Sequence, residues 1–85
     1  MLRADLTSVA RNKLASMRDI DQELVIGTIR SLCLTDVREP KARGYPPLPE
    51  EEIILFHPQT AQRVARILFR VKKRDAILRI VKIAD

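Results

Sequence analysis

The sequence predicts an α+β domain in which an N-terminal helix hairpin packs on one face of a small twisted antiparallel β-sheet. Three observations predict it. Apolar residues recur at helical spacing in the first third, a proline-rich stretch follows, and the last third alternates apolar and polar residues as strands do. Helices and strands that are segregated along the chain are typical of an α+β layer. With 85 residues, 1–85 is expected to form a single domain.

The helix hairpin is predicted over about residues 6–34. The first helix carries an apolar stripe at spacings of three and four: Leu6, Val9, Ala10, Leu14 and Met17. A second stripe follows after a short polar break: Val25, Ile29 and Leu32. Thr7 or Ser8 is the expected N-cap of the first helix, because a hydroxyl accepts a bond from an orphan backbone N–H. So short a connection predicts two antiparallel helices.

Residues 36–50 are predicted to form an irregular, basic loop. Four of the five prolines lie there together with Gly44, which excludes helix and regular strand over most of the stretch. The loop carries Lys41, Arg43 and Tyr45, all expected to be exposed. Cationic and aromatic side chains together suit a nucleic acid, since the former bind phosphate and the latter stack on bases.

Strands are predicted at about 51–57, 63–71 and 76–83. In the second of them Ala65, Ile67 and Phe69 face one way, and Arg66 and Arg70 face the other. The charged turn "KKRD" predicts a hairpin loop longer than two residues, since the glycine-containing pairs of tight turns are missing. "MLRADL" is a weaker candidate for a further short strand before the first helix.

The positive charge is concentrated at one end of the chain. Residues 63–85 contain eight basic and two acidic residues, whereas the first 62 contain eight basic and nine acidic ones, and the whole chain carries +5. This asymmetry favours a polyanionic partner, either nucleic acid or an acidic protein. Cys33 is the single cysteine and His57 the single histidine, so neither a disulfide nor a metal cluster is expected. We expect a cytoplasmic protein without cofactor or membrane span.

Several short motifs, taken in order, resemble those of the RelE/ParE superfamily of bacterial toxins. The helices read "TSVARNKLASM" and "DQELVIGTIRSL", and the loop "EPKARGY" follows where the family has a Pro, Lys, Arg and Gly loop. "ARILF" is similar to the family's signature strand, with Arg66 at its arginine, and "LRIVKIAD" is similar to its last strand, with Lys82 where a His is common. The resemblance covers almost the whole chain and implies a strand, a helix hairpin and a curved antiparallel sheet.

The resemblance implies the toxin of a toxin–antitoxin pair that inhibits translation by cleaving messenger RNA on the ribosome. In that interpretation Arg66 holds the phosphate and Lys82 transfers a proton. The expected RNA-binding residues are Lys41, Arg43, Tyr45, Arg70, Lys72, Lys73 and Arg74. The implied partner is an acidic antitoxin, in a heterotetramer or beside a toxin homodimer.

Three departures from the family pattern leave other functions open. The first strand is shortened or absent, "VKIAD" replaces an ending with Arg and an aromatic residue, and Ala65 and Phe69 replace two tyrosines. One alternative is a ParE-like toxin that binds DNA gyrase without catalysis. Another is a RelE-fold protein that binds nucleic acid or an acidic partner without cleaving anything. Arg66 and Arg70 are also typical of the solvent-exposed face of a sheet that is buried on its other side.

Overall fold

A computed structural model describes residues 1–34 and 51–85 of the chain. The elements in order are β1 (Arg3–Leu6), α1 (Ser8–Ser16), α2 (Asp19–Leu34), β2 (Glu51–Phe56), β3 (Arg63–Lys72), a 3₁₀ turn (Lys73–Asp75) and β4 (Ile77–Ala84). The predicted loop 36–50 lies outside the described residues. Neither α1 nor α2 is long and apolar enough to span a bilayer.

The two helices follow the apolar stripes of the sequence. Thr7 caps α1, and its Oγ1 accepts a bond from the Ala10 backbone N–H at 3.2 Å. The carbonyl of Leu14 accepts from both the Met17 backbone N–H and the Gln22 side chain, which closes α1 and ties it to α2. The predicted helix hairpin therefore forms with only a short break at Met17 and Arg18.

The sheet has the order β1-β4-β3-β2. β2 pairs with β3 and β3 with β4 antiparallel, whereas β1 pairs with β4 in parallel. The α+β prediction is confirmed, with the difference that the sheet is mixed. β1 is present with four residues, so the first strand is not absent, and it comes from "MLRADL" as the sequence suggested. A parallel pair needs a long crossover connection, and α1, α2, β2 and β3 together supply it.

The helices cover one face of the sheet and form the core with it. The buried side chains are those of Leu2, Ala10, Val25, Ile29, Leu32, Cys33, Ala65, Ile67, Phe69, Leu78, Ile80 and Ile83. This core is almost entirely aliphatic, as the scarcity of aromatic residues in the sequence requires. Burial raises the pKa of the Cys33 thiol, although the charge of the N-terminal amine opposes that effect. Cys33 therefore packs as a small apolar residue.

Two irregularities shape the β3–β4 hairpin. The turn occupies four residues, and Ala76 at its end has a left-handed backbone with φ of 54°. Further along, Leu68 pairs with Lys82 and the next residue, Phe69, pairs with Ile80, so Val81 is an extra residue in β4. This is a β-bulge, which lets Ile80 and Ile83 both face the core despite their odd spacing.

Candidate nucleic-acid interface on the open face of the sheet

The face of the sheet opposite the helices is called the open face here, because no described helix covers it. Residues that pair in register point to the same side of a sheet, so the registers define its members. They are Glu52 and Ile54 on β2, Arg66, Leu68, Arg70 and Lys72 on β3, Ile77, Arg79, Lys82 and Ala84 on β4, and Arg3 and Asp5 on β1. Six of these are basic and two acidic, so the open face is strongly cationic.

Arg66 lies in an apolar part of this face. Its partners in register are Ile54 on β2 and Ala84 on β4. Its Nε is buried and has no hydrogen-bond partner among the described residues. A buried donor without an acceptor costs about 1–3 kcal/mol. An anion bound by the Arg66 guanidinium would gain a charge-assisted hydrogen bond.

An acidic and a basic side chain flank the Arg66 position. Glu52 and Lys82 both pair in register with Leu68, one from each side, and Leu68 is two residues from Arg66 on β3. Each is therefore a diagonal neighbour of Arg66, at about 7–8 Å. Both side chains are exposed. A carboxylate, a guanidinium and an ammonium group are thus arranged across three adjacent strands.

A second group of charges lies further along the same face. Arg79 on β4 pairs in register with Arg70 on β3 and on its other side with Asp5 on β1. The Arg79 Nη2 atom lies 2.9 Å from the Asp5 Oδ2 atom, and the two side chains are 37% and 45% exposed. Two arginines directly opposite each other repel. Asp5 offsets part of that repulsion.

The structure brings together only part of the residue set expected from the sequence. Arg66, Arg70, Lys72 and Lys82 share the open face, whereas Arg74 is exposed in the turn after β3. The side chain of Lys73 lies outside the described part of the chain, as do Lys41, Arg43 and Tyr45. Whether these residues contact RNA stays a prediction.

Sequence reasoning missed Glu52, Arg79 and Asp5. The alternation of "EEIILF" signals the position of Glu52, since Ile53 and Leu55 face the core and Glu52 must face away. No comparable signal exists for Asp5, because its place beside Arg79 depends on the pairing of β1 with the last strand. His57 lies outside this group: its Nδ1 accepts a bond from the Gln59 backbone N–H at 3.3 Å.

Among the described residues, no three His, Cys, Asp or Glu side chains group closely enough to hold a metal ion. The carboxylate, guanidinium and ammonium groups of the open face can take part in anion binding and in general acid–base chemistry. Several cationic side chains that follow adjacent strands suit an extended polyanion.

Comparisons with known proteins identify the fold. No protein-family model matches the chain, and no curated protein matches it. Among solved structures it is similar to the intact E. coli RelBE toxin–antitoxin complex, with 12% identity, a TM-score of 0.70, and coverage of 100% of this chain and 96% of that one.

Two further similar structures are of E. coli RelE without its partner. The isolated toxin matches with 13% identity and a TM-score of 0.71, over 100% of this chain and 84% of that one. A free-state mutant with two arginines replaced by alanine matches with 14% identity and a TM-score of 0.71, over 99% and 82%. This chain therefore has a RelE-like fold.

Proposed function

We propose that this protein is the toxin of a toxin–antitoxin pair and that it cleaves messenger RNA on the ribosome. The observation that carries the proposal is the buried Nε of Arg66, which has no partner among the described residues and belongs to a cationic sheet face that no described helix covers. The RelE-like fold supports the toxin class, and the cationic surface supports a nucleic acid as substrate. We place the protein in the cytoplasm, where ribosomes work.

The proposed reaction is attack of a ribose 2′-hydroxyl on the adjacent phosphorus. The Glu52 carboxylate takes the proton of the 2′-hydroxyl, and the oxygen forms a bond to phosphorus. Arg66 stabilises the extra negative charge of the five-coordinate phosphorane. The bond to the 5′-oxygen then breaks, and the Lys82 ammonium donates a proton to that leaving oxygen. The products are a 2′,3′-cyclic phosphate and a free 5′-hydroxyl.

The antitoxin is proposed as the second partner. The intact RelBE complex, one of the similar structures, contains a toxin together with its antitoxin. A cationic face with exposed apolar residues suits an acidic, partly apolar segment. Ile54 and Phe56 on the edge strand β2 are 43% and 53% exposed and are available for such a contact. We propose a heterotetramer or a toxin homodimer as the assembly.

The test uses purified protein with translating ribosomes and a defined message. We expect cleavage within the message, mapped by primer extension, and its loss in Arg66→Ala. Arg11→Ala is the matched control, because it removes an exposed arginine of α1, in the helix layer rather than on the open face. The protein is also induced in cells. Growth arrest there with intact message and blocked DNA supercoiling would contradict the proposal and support a gyrase-binding toxin. Absence of any toxicity would contradict both.

A further inference from the structure

We infer that Thr7 is a positioning residue for the open face: its hydroxyl holds the β-bulge at Val81, and that bulge keeps Lys82 beside Arg66. The part that concerns Lys82 and RNA rests on the proposed function. The part that concerns Thr7 and the bulge rests on hydrogen bonds and strand register alone.

The bulge decides which face Lys82 occupies. Successive residues of a regular strand point to opposite faces, so without an extra residue Ile80 and Lys82 would share the core face. Instead Lys82 pairs with Leu68 and is exposed, while Ile80 and Ile83 are buried. If Ile80 stayed buried, straightening β4 would turn the Lys82 ammonium toward an apolar core and expose Ile83. If Ile83 stayed buried, Ile80 would be exposed instead.

Thr7 contacts the strand at this irregular point. Its Oγ1 donates to the Val81 carbonyl at 2.7 Å, and its backbone N–H donates to the Ile80 carbonyl at 3.1 Å. Val81 has no register partner on β3. The same Oγ1 accepts from the Ala10 N–H, so one hydroxyl joins the start of α1 to the bulge.

The chemistry of this position is restrictive. The side chain must accept one hydrogen bond for the cap and donate another to the bulge, and a hydroxyl does both at once. Threonine and serine therefore fit. An aspartate caps a helix as well as threonine does, but its carboxylate cannot donate to the Val81 carbonyl. This difference separates the two roles of Thr7.

The opposing explanation is that apolar spacing alone holds the bulge. Burial of Ile80 and Ile83 favours the same register, and Thr7 would then be a helix cap only. Three variants distinguish the two explanations. Thr7→Ser keeps both bonds, Thr7→Asp keeps the cap alone, and Thr7→Val removes both.

The first measurement is amide hydrogen exchange followed by NMR. Each exchange rate is corrected for the variant's own free energy of unfolding before the variants are compared. In Thr7→Asp and Thr7→Val we expect faster exchange at Lys82 and Ile83 by about five- to tenfold, the factor for one lost hydrogen bond. Thr7→Ser should behave as the parent protein. Equal protection of these amides in Thr7→Ser and Thr7→Asp would overturn the inference. This comparison suffices even if Thr7→Val fails to fold.

The second measurement reads the effect on Lys82 itself. A single-stranded RNA oligonucleotide is titrated into the protein carrying Thr7→Asp, Lys82→Gln or both. We expect Thr7→Asp to weaken binding in the parent background and to have no further effect once Lys82 is replaced. Additive losses would contradict positioning through Lys82. If the parent protein binds no RNA, the proposed function fails, whereas the exchange comparison still decides the role of Thr7.

Discussion

The core face and the open face of β3 and β4 differ in how their side chains affect the stability of the fold. On the core face, Ile67, Phe69 and Ile80 are at most 2% exposed and are surrounded by apolar groups. On the open face, most residues of the same strands are basic, and one of them buries a donor that has no acceptor among the described residues. The first face stabilises the fold. The second costs stability, because that donor gives up its bonds to water.

Phe69→Ala tests the core face and should have the largest effect. Removing a fully buried aromatic side chain leaves a cavity, so we expect the free energy of unfolding to fall by about 3–5 kcal/mol in urea titrations. Leu68→Ala, the adjacent residue on the open face, is the matched control and should cost clearly less. Equal losses would mean that the open face is as well packed as the core.

Arg66→Met tests the open face and should act with the opposite sign. Methionine keeps the apolar stem but removes the buried unpaired Nε, so we expect unfolding to require about 1 kcal/mol more. RNA cleavage should be lost in the same variant. Urea titration measures the change in stability, and the ribosome assay measures the loss of RNA cleavage. A destabilised Arg66→Met protein would contradict the idea that this arginine strains the free fold.

Asp5→Asn tests the second charge group on the open face. The Asp5–Arg79 pair is more than one-third exposed, so we expect a loss of stability of only about 0.2–1 kcal/mol. RNA should bind more tightly at low salt, because Arg79 loses an internal anion that competes with phosphate. Arg79→Gln should instead weaken binding and flatten its salt dependence. If both variants bound RNA more weakly, the Asp5–Arg79 pair would support the fold and would not compete with phosphate.

Asp85→Asn should have the smallest effect. Asp85 lies 2.7 Å from the Lys13 ammonium, and that hydrogen bond lowers the pKa of the Asp85 carboxyl. A lowered pKa means that the contribution is present above the carboxyl's ordinary pKa and is lost as pH falls through the folded-state value. Because Asp85 is almost fully exposed, we expect no measurable change of Tm at pH 7. A clear drop of Tm would show that the Lys13–Asp85 contact is more ordered than an exposed ion pair.

The helices and three strands could be predicted from the sequence because each has a local apolar period. Ala65, Ile67 and Phe69 alternate cleanly, and the face of Arg66 follows directly from them. β1 was harder to predict, since it has only four residues and its pairing with β4 depends on distant sequence.

The candidate site was predictable only where register follows from alternation. The bulge at Val81 is visible afterwards in the odd spacing of Ile80 and Ile83, but a spacing of three also suits a helix. The position of Arg79 between Arg70 and Asp5 requires three strands to be aligned. Local pattern contains no information on such an alignment.

The pairing of β1 with β4 has a consequence for the time course of folding. Thr7 and Val81, which are hydrogen-bonded, lie 74 positions apart. At about 5–20 residues per second, β1 is synthesised roughly 4–15 s before its partner strand. Contacts so distant in sequence also slow folding itself. Arg79 and Lys82 lie on that late strand, so the nascent chain passes through an interval in which its helices are made but its open face is not.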